Sequence, residues 1–214
     1  LARKEILKLI PYSSARDEFS IDEKKMIMMD ANENPFENGL NRYPDPMQNK
    51  LKKRIAESKK ISPNQIYLGN GSDDIINQLI IAFCKPNVDS IIICPPTFGM
   101  YEVHANLNLI KTLKVPLNIN FELEEENILL AIQKNTKFIF IPNPNNPTGN
   151  SFSNEKIKKL IVNFKGIVVV DEAYFEFYDG DSFLSMIKKY KNLVVVQTFS
   201  KGQGLAGVRL GMCF

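Results

Sequence analysis

Three times this chain of 214 residues runs through a block of aliphatic or aromatic side chains and empties at once into small polar ones. Phe138-Ile-Phe-Ile141 opens into Pro-Asn-Pro-Asn-Asn146-Pro-Thr-Gly149, and Ile167-Val-Val-Val170 opens into Asp171-Glu-Ala-Tyr174. Val194-Val-Val196 leads through Gln197-Thr198 to Phe199-Ser200-Lys201, and Arg209 follows eight residues later. Strands this evenly apolar suit a sheet covered on both faces, the usual setting of parallel strands. Parallel strands deliver their carboxyl ends to one rim, where ligands of such sheets bind. A lysine, an aspartate, a tyrosine and an asparagine then meet in one crevice.

The rest of the pattern agrees with that frame. A helical patch is predicted over 4–9, loops rich in Asn and Pro over 30–36 and 41–46, and an amphipathic helix over 47–59. From there strands near 65–68, 90–94, 109–115, 138–141, 167–170, 193–198 and 208–214 alternate with helices. Gly69-Asn-Gly-Ser72 is expected to cap a helix running to about Phe83, since Ser72 and Asp73 suit an N-terminus, and further helices are expected near 99–106, 122–134, 153–164 and 181–190. Alternation of this kind predicts an α/β fold with a mostly parallel sheet, right-handed crossovers and helices on both faces. Residues 1–30 read as an N-terminal arm and residues 31–214 as the large domain, ending near its last strand.

Composition narrows the function classes. Hydrophobic residues make up 44% and charged residues 24%, enough for a sizeable core. The net charge of +3 is spread over scattered Lys pairs that read as solvated helix faces, and no dense basic stripe suggests a nucleic acid. Cys84, Cys94 and Cys213 lack metal-ligand spacing, and His104 is the single histidine, so no metal site is expected. The thiols fit a reducing compartment. No apolar run approaches the roughly 18–20 residues of a membrane span, and Leu-Ala-Arg-Lys-Glu at the start lacks a signal-peptide core. A soluble, cytoplasmic protein is the expectation.

The motifs specify a chemistry. A lysine amine can form a Schiff base with an aldehyde and can also carry protons. Around Lys201, Ser200 and the glycines at 202, 204 and 207 suit a tight backbone beside a ligand, and Arg209 offers a fixed cation to a phosphate. Asp171, at the edge of an apolar environment, would be costly unpaired; a pyridinium N–H would pair with it. Tyr174 and Asn146 could reach the neighbouring phenolic oxygen of the same ring. Gly69-Asn-Gly-Ser72-Asp73 runs a glycine-rich turn into a helix, a setting for a phosphate held by free backbone N–H groups; it is neither a Walker A loop nor a dinucleotide fingerprint. Phe98 and Tyr101 both follow a strand, and either could stack on a flat ring. Together these groups can hold pyridoxal 5′-phosphate (PLP).

Asn-Pro-Asn-Asn-Pro-Thr-Gly, Val-Val-Asp-Glu-Ala-Tyr and Thr-Phe-Ser-Lys-Gly-Gln-Gly-Leu-Ala-Gly-Val-Arg-Leu-Gly, in this order, resemble the fold-type I PLP-dependent aminotransferases. Pro11-Tyr12-Ser-Ser-Ala-Arg16, Asp30-Ala-Asn32-Glu33-Asn-Pro35, Arg42-Tyr43-Pro-Asp-Pro46 and Gly69-Asn-Gly-Ser-Asp73 are similar to the histidinol-phosphate aminotransferase family. The likeness runs over nearly the whole chain. It implies a three-layer α/β/α large domain of the aspartate aminotransferase type, and transamination between histidinol phosphate and 2-oxoglutarate in histidine biosynthesis.

Residue by residue, the resemblance implies Lys201 as the catalytic amine and Asp171 on the pyridine nitrogen, with Tyr174 and Asn146 on the phenolic oxygen. Ser72, Asp73, Ser200 and Arg209 would hold the phosphate, and Phe98 or Tyr101 would stack on the ring. Tyr43 would reach the partner's cofactor phosphate in a homodimer, and Tyr12, Asn32 and Glu33 would touch small-molecule substrate. Aromatic amino-acid aminotransferases and threonine-phosphate decarboxylase share much of the pattern and stay open as alternatives. So does a cofactor-binding fragment without turnover. The chain departs from the family at Gly202-Gln203, where a small residue and an aromatic are usual. It also stops at Phe214, short of the small domain that carries a substrate-binding arginine in the family, so that domain is expected to be absent.

Overall fold

The computed structural model describes residues 1–11 and 29–214, and every structural statement below concerns these. They divide into two compact units, Leu1–Ile6 with Asn64–Phe214, and Leu7–Pro63.

The larger unit is built on one seven-stranded sheet in the order β1-β7-β6-β5-β4-β2-β3. The strands are β1 (Tyr67–Asn70), β2 (Ser90–Ile93), β3 (Lys111–Lys114), β4 (Thr136–Pro142), β5 (Ile167–Asp171), β6 (Leu193–Thr198) and β7 (Leu210–Cys213). β3, β2, β4, β5 and β6 pair in parallel, whereas β7 lies antiparallel between β6 and β1. The expected mostly parallel sheet is therefore present, with one reversed strand, β7, lying inside the β1 edge. All five residues of β5 and all four of β2 are buried, and each fully buried Val or Ile contributes about 1.5–3 kcal/mol. The core runs through Ile75, Ile76 and Ile80 of the helix α3 (Gly71–Phe83), then Ile91, Phe138, Phe140 and Val169 of the sheet. Cys84, Cys94 and Cys213 are buried free thiols, and burial pushes each up to about 12.

The remaining helices of this unit are α4 (Met100–Leu107), α5 (Glu125–Ala131) and α6 (Asn154–Asn163), while α1 (Lys4–Leu7) begins near the N-terminus. Just before α1, Arg3 satisfies the exit of α3: its backbone N–H donates to the Ala82 carbonyl and its Nη1 to the Ile81 carbonyl, at 3.0 and 3.1 Å.

Two local expectations are corrected. The helix predicted over 181–190 is only a 3-10 turn at Phe183–Met186. Its apolar spacing is real, but the segment is tied down at its start: Ser182 Oγ and the Phe183 N–H both donate to the buried Glu172 carboxylate, at 2.6 and 2.7 Å. Ser182 then caps the turn by accepting from Leu184 N. Ser72 and Asp73 also do not cap α3. Asn70 stands at the cap without a side-chain bond, and Asp74 reaches back to accept from the Asn70 N–H at 3.0 Å, as the acidic residue of a capping box does.

The smaller unit holds the helix α2 (Asn49–Lys59) behind an Asn- and Pro-rich loop. Asp45 supplies its start, accepting from the N–H groups of Met47 and Asn49 at 2.8 and 2.7 Å. The bond from Asn49 is the main reason the Asp45 carboxyl lies below its ordinary value. No helix among the described residues is long and apolar enough to cross a membrane.

Candidate active site at the strand ends

Register places the predicted groups. Pro142 at the end of β4 is level with Asp171 at the end of β5, and Asp171 with Val196 of β6. Because β7 runs backwards, its first residue, Leu210, pairs with Asn70 at the end of β1, and Gly211 pairs with Thr198 at the end of β6. The start of α3, the Ser200-Lys201 turn and Arg209 are thereby brought to the same rim as Asp171. The chain reverses its direction of travel across the sheet between β2 and β4, and that is where a crevice outside the carboxyl ends is expected.

A cavity opens there, lined by Ser72, Phe98, Pro142, Asn146, Asp171, Ala173, Tyr174 and Lys201. The Lys201 ammonium lies 5.3 Å from the centre of the Tyr174 ring, within cation–π reach. Asp171 is 4% exposed. Its Oδ2 accepts from the Tyr101 hydroxyl at 2.7 Å and its Oδ1 from the Ala173 N–H at 3.0 Å. Burial pushes its carboxyl up to about 6, against the pull of those two bonds; Asp73 adds to the rise and Lys201 opposes it. A carboxylate placed so, beside a cavity with an amine in it, suits a cationic N–H guest.

Tyr101 itself does not line the cavity. It is fully buried, stacks on Phe140 at 4.9 Å, and meets Phe98 edge-on at 5.5 Å. Burial, then the charge of Asp171, drives its hydroxyl well above its ordinary value. Phe98 is the aromatic that faces the open space. Which of the two does so depends on how α4 packs, and nothing in the spacing of Phe98 and Tyr101 reveals it.

The side of the rim at the start of α3 is fixed by two glycines. Gly71 takes φ +78°, and a Cβ there would stand 2.5 Å from a guanidinium nitrogen of Arg209. A Cβ on Gly211 would lie 2.4–2.6 Å from the backbone of Gly71 and Ser72. The turn therefore packs directly on the sheet, with Arg209 laid over it and the Gly71 N–H donating to the Arg209 carbonyl at 2.9 Å. Arg209 holds a left-handed φ of 56°, a conformation that costs a side-chain-bearing residue about 1–2 kcal/mol. Ser200 Oγ lies 3.1 Å from Thr198 Oγ1. Asp73 has an Oδ1 buried with no hydrogen-bond partner.

The Asn-Pro-Asn-Asn-Pro-Thr-Gly turn is pinned from beneath. The Asn143 N–H donates to the Asp171 carbonyl, Asn143 Oδ1 accepts from the Phe152 N–H, and Asn145 Nδ2 donates to the Pro96 carbonyl and to Thr148 Oγ1. Asn146 is left to face the cavity. Glu172 was not among the expected site residues, yet it anchors the other side: besides Ser182 and Phe183 it accepts from Gln197 Nε2 at 2.8 Å. The signal was available, since two adjacent acids after a buried strand cannot both face the crevice.

Tyr43, Asn32 and Glu33 belong to the smaller unit. Glu33 is clamped there by Arg42 Nη1 at 3.0 Å and the Tyr43 N–H at 2.6 Å, Asn32 adopts φ 52°, and the Tyr43 ring is exposed. Tyr12 lies outside the described residues. Among the described residues no group of three His, Cys, Asp or Glu side chains could hold a metal ion.

A mostly parallel sheet with a lysine, a buried aspartate and a glycine-rich turn on one rim is the fold expected of an aminotransferase large domain. Residues 24–214 match the family described as aminotransferase class I and II, and the chain belongs to that family. More particularly, it is 53% identical over 215 residues to the histidinol-phosphate aminotransferase of Flavobacterium johnsoniae, all of this chain aligning with 62% of that protein. The chain thus spans about three fifths of the length of that curated relative. The solved histidinol-phosphate aminotransferase of Clostridium acetobutylicum superimposes with a TM-score of 0.73 at 28% identity, over 81% of this chain and 52% of that one. That of Sinorhizobium meliloti, solved in complex with pyridoxal-5′-phosphate, shares the fold at a TM-score of 0.73 and 24% identity, over 81% and 48% of the two chains.

Proposed function

We propose that the crevice holds PLP and that the protein transfers an amino group between histidinol phosphate and 2-oxoglutarate in histidine biosynthesis. The observation that carries this reading is the convergence of Lys201, Asp171, Asn146 and Tyr174 on one cavity. When bound, PLP supplies an aldehyde that takes up the amino group and a ring that accepts the electrons released at the substrate Cα.

The chain's own residues do the rest. Lys201 Nζ would hold the aldehyde end of the cofactor and, as a free amine, would carry the proton taken from the substrate Cα. Asp171 keeps a proton on the ring nitrogen, its buried carboxylate gaining a cation in exchange for lost water. Phe98 covers one face of the ring. Asn146 and Tyr174 hold the phenolic oxygen, while the first turn of α3 at Ser72 and Asp73, with Ser200 and Arg209, receives the phosphate.

In the same reading residues 31–214 form the PLP-binding domain and residues 1–30 an arm. Tyr43 serves the partner's phosphate in a cytoplasmic homodimer, and Tyr12, Asn32 and Glu33 meet substrate. The test is a half-reaction: glutamate added to the PLP-loaded protein should replace the aldehyde absorption with that of pyridoxamine phosphate, and imidazole-acetol phosphate should restore it. Carbon dioxide released from threonine phosphate, or a stable aldehyde form that glutamate does not alter, would overturn the assignment.

A further inference from the structure

We propose that Tyr101 is a positioning residue that links the group meant for the ring nitrogen to the group meant for the ring face, through its hydroxyl on Asp171 and its ring against Phe98. The inference rests on the PLP reading above and assigns Tyr101 a place outside the cofactor's contact surface.

Three observations carry it. The hydroxyl donates to Asp171 Oδ2 at 2.7 Å from a fully buried position, so the bond is sheltered from water. The same ring is held between Phe140, stacked at 4.9 Å, and Phe98, edge-on at 5.5 Å. Asp171 and Phe98 line the cavity from different strand ends, and Tyr101 touches both without lining it. A donor at Oδ2 and the Ala173 N–H at Oδ1 leave the carboxylate little freedom to rotate. The groups facing this carboxylate are Tyr101 from α4, Asp73 from the start of α3, Lys201 from the turn after β6, and the Ala173 amide of its own segment. Of the groups that favour its ionised form, Tyr101 has the largest effect, and its own hydroxyl stays protonated because burial lifts it well above its ordinary value.

The variant that separates this role from mere packing is Tyr101→Phe, which keeps the ring and removes the donor. In the PLP-free chain the Asp171 carboxyl, followed by carbon-13 NMR, should then titrate about one pH unit higher, the effect of losing a hydrogen bond to a charged group. With PLP added, affinity should fall severalfold relative to the unaltered chain as the pH drops below the two midpoints and match it above the higher one, where both keep Asp171 ionised. A midpoint that does not move overturns the proposal, and so does a loss of affinity equal at every pH. Should Tyr101→Phe fail to fold, the unaltered chain decides the matter: the Tyr101 Cζ resonance should follow the Asp171 midpoint, and independent midpoints overturn the link. A chain that takes up no PLP at all defeats the PLP reading, while the carboxyl titration still judges the Tyr101–Asp171 coupling.

Discussion

The two sides of the crevice are built differently. On one, Asp171 and Glu172 close a buried strand, and both carboxylates are held by named donors: Tyr101 and Ala173 for the first, Ser182, Phe183 and Gln197 for the second. On the other, residues 201–209 are exposed throughout and turn on themselves through a short 3-10 segment, Ala206–Val208. Under the proposed function, the aspartate that would present a fixed charge stands on the rigid side, and the lysine that would exchange one partner for another stands on the open one. Core packing sets the first; local backbone conformation, at Gly204 and Arg209 with positive φ, sets the second.

Asp171→Asn should break this contrast most strongly. The folded carboxyl sits at about 6 against an ordinary 3.8, so the folded chain binds the proton more tightly than the unfolded one. Its contribution is favourable below about pH 4 and is lost as the pH rises through 6. The neutral variant, without PLP, should thus be more stable than the parent by up to about 3 kcal/mol at pH 8. That advantage should shrink to nothing below about pH 4, as urea unfolding at several pH values would read. Equal stability at pH 8 would mean that the carboxylate is better solvated than its burial implies.

Gly211→Ala tests the join between the sides, because its methyl group would meet the backbone of Gly71 and Ser72. A loss of about 1–3 kcal/mol is expected from such overpacking, together with weaker binding of PLP but not of pyridoxal, which lacks the phosphate. Arg209→Gly should go the other way in stability. Relief of the left-handed backbone should stabilise the chain by about 1 kcal/mol, while PLP affinity drops more than tenfold through the lost phosphate contact. Gln203→Ala, which removes an exposed 3.3 Å bond to Glu176, should change stability by less than about 0.5 kcal/mol. A larger loss would show that the open side is more tightly held than its exposure suggests.

The rigid side was the more legible in the sequence. Ile167-Val-Val-Val170 and Phe138-Ile-Phe-Ile141 announce buried parallel strands because burial on both faces leaves no room for polar alternation, and the polar residue that ends each run lands on the rim. The reversed β7 was not legible, since its direction depends on its insertion between β6 and β1, and the pairing of Leu210 with Asn70 joins residues far apart in the chain. Phe183, Leu184 and Ile187 imitate a helix face, and only the distant Glu172 reveals that their segment is a clamped turn. Phe98 and Tyr101 were equivalent as aromatics after a strand; the packing of Tyr101 on Phe140 separates them.

The central claim, that the amine on the open side is the one that meets PLP, is tested most directly by borohydride reduction of the PLP-treated chain and peptide mass spectrometry. A single phosphopyridoxyl group on Lys201, absent from Lys201→Ala, is the predicted result. Label on other lysines with Lys201 unmodified would contradict it.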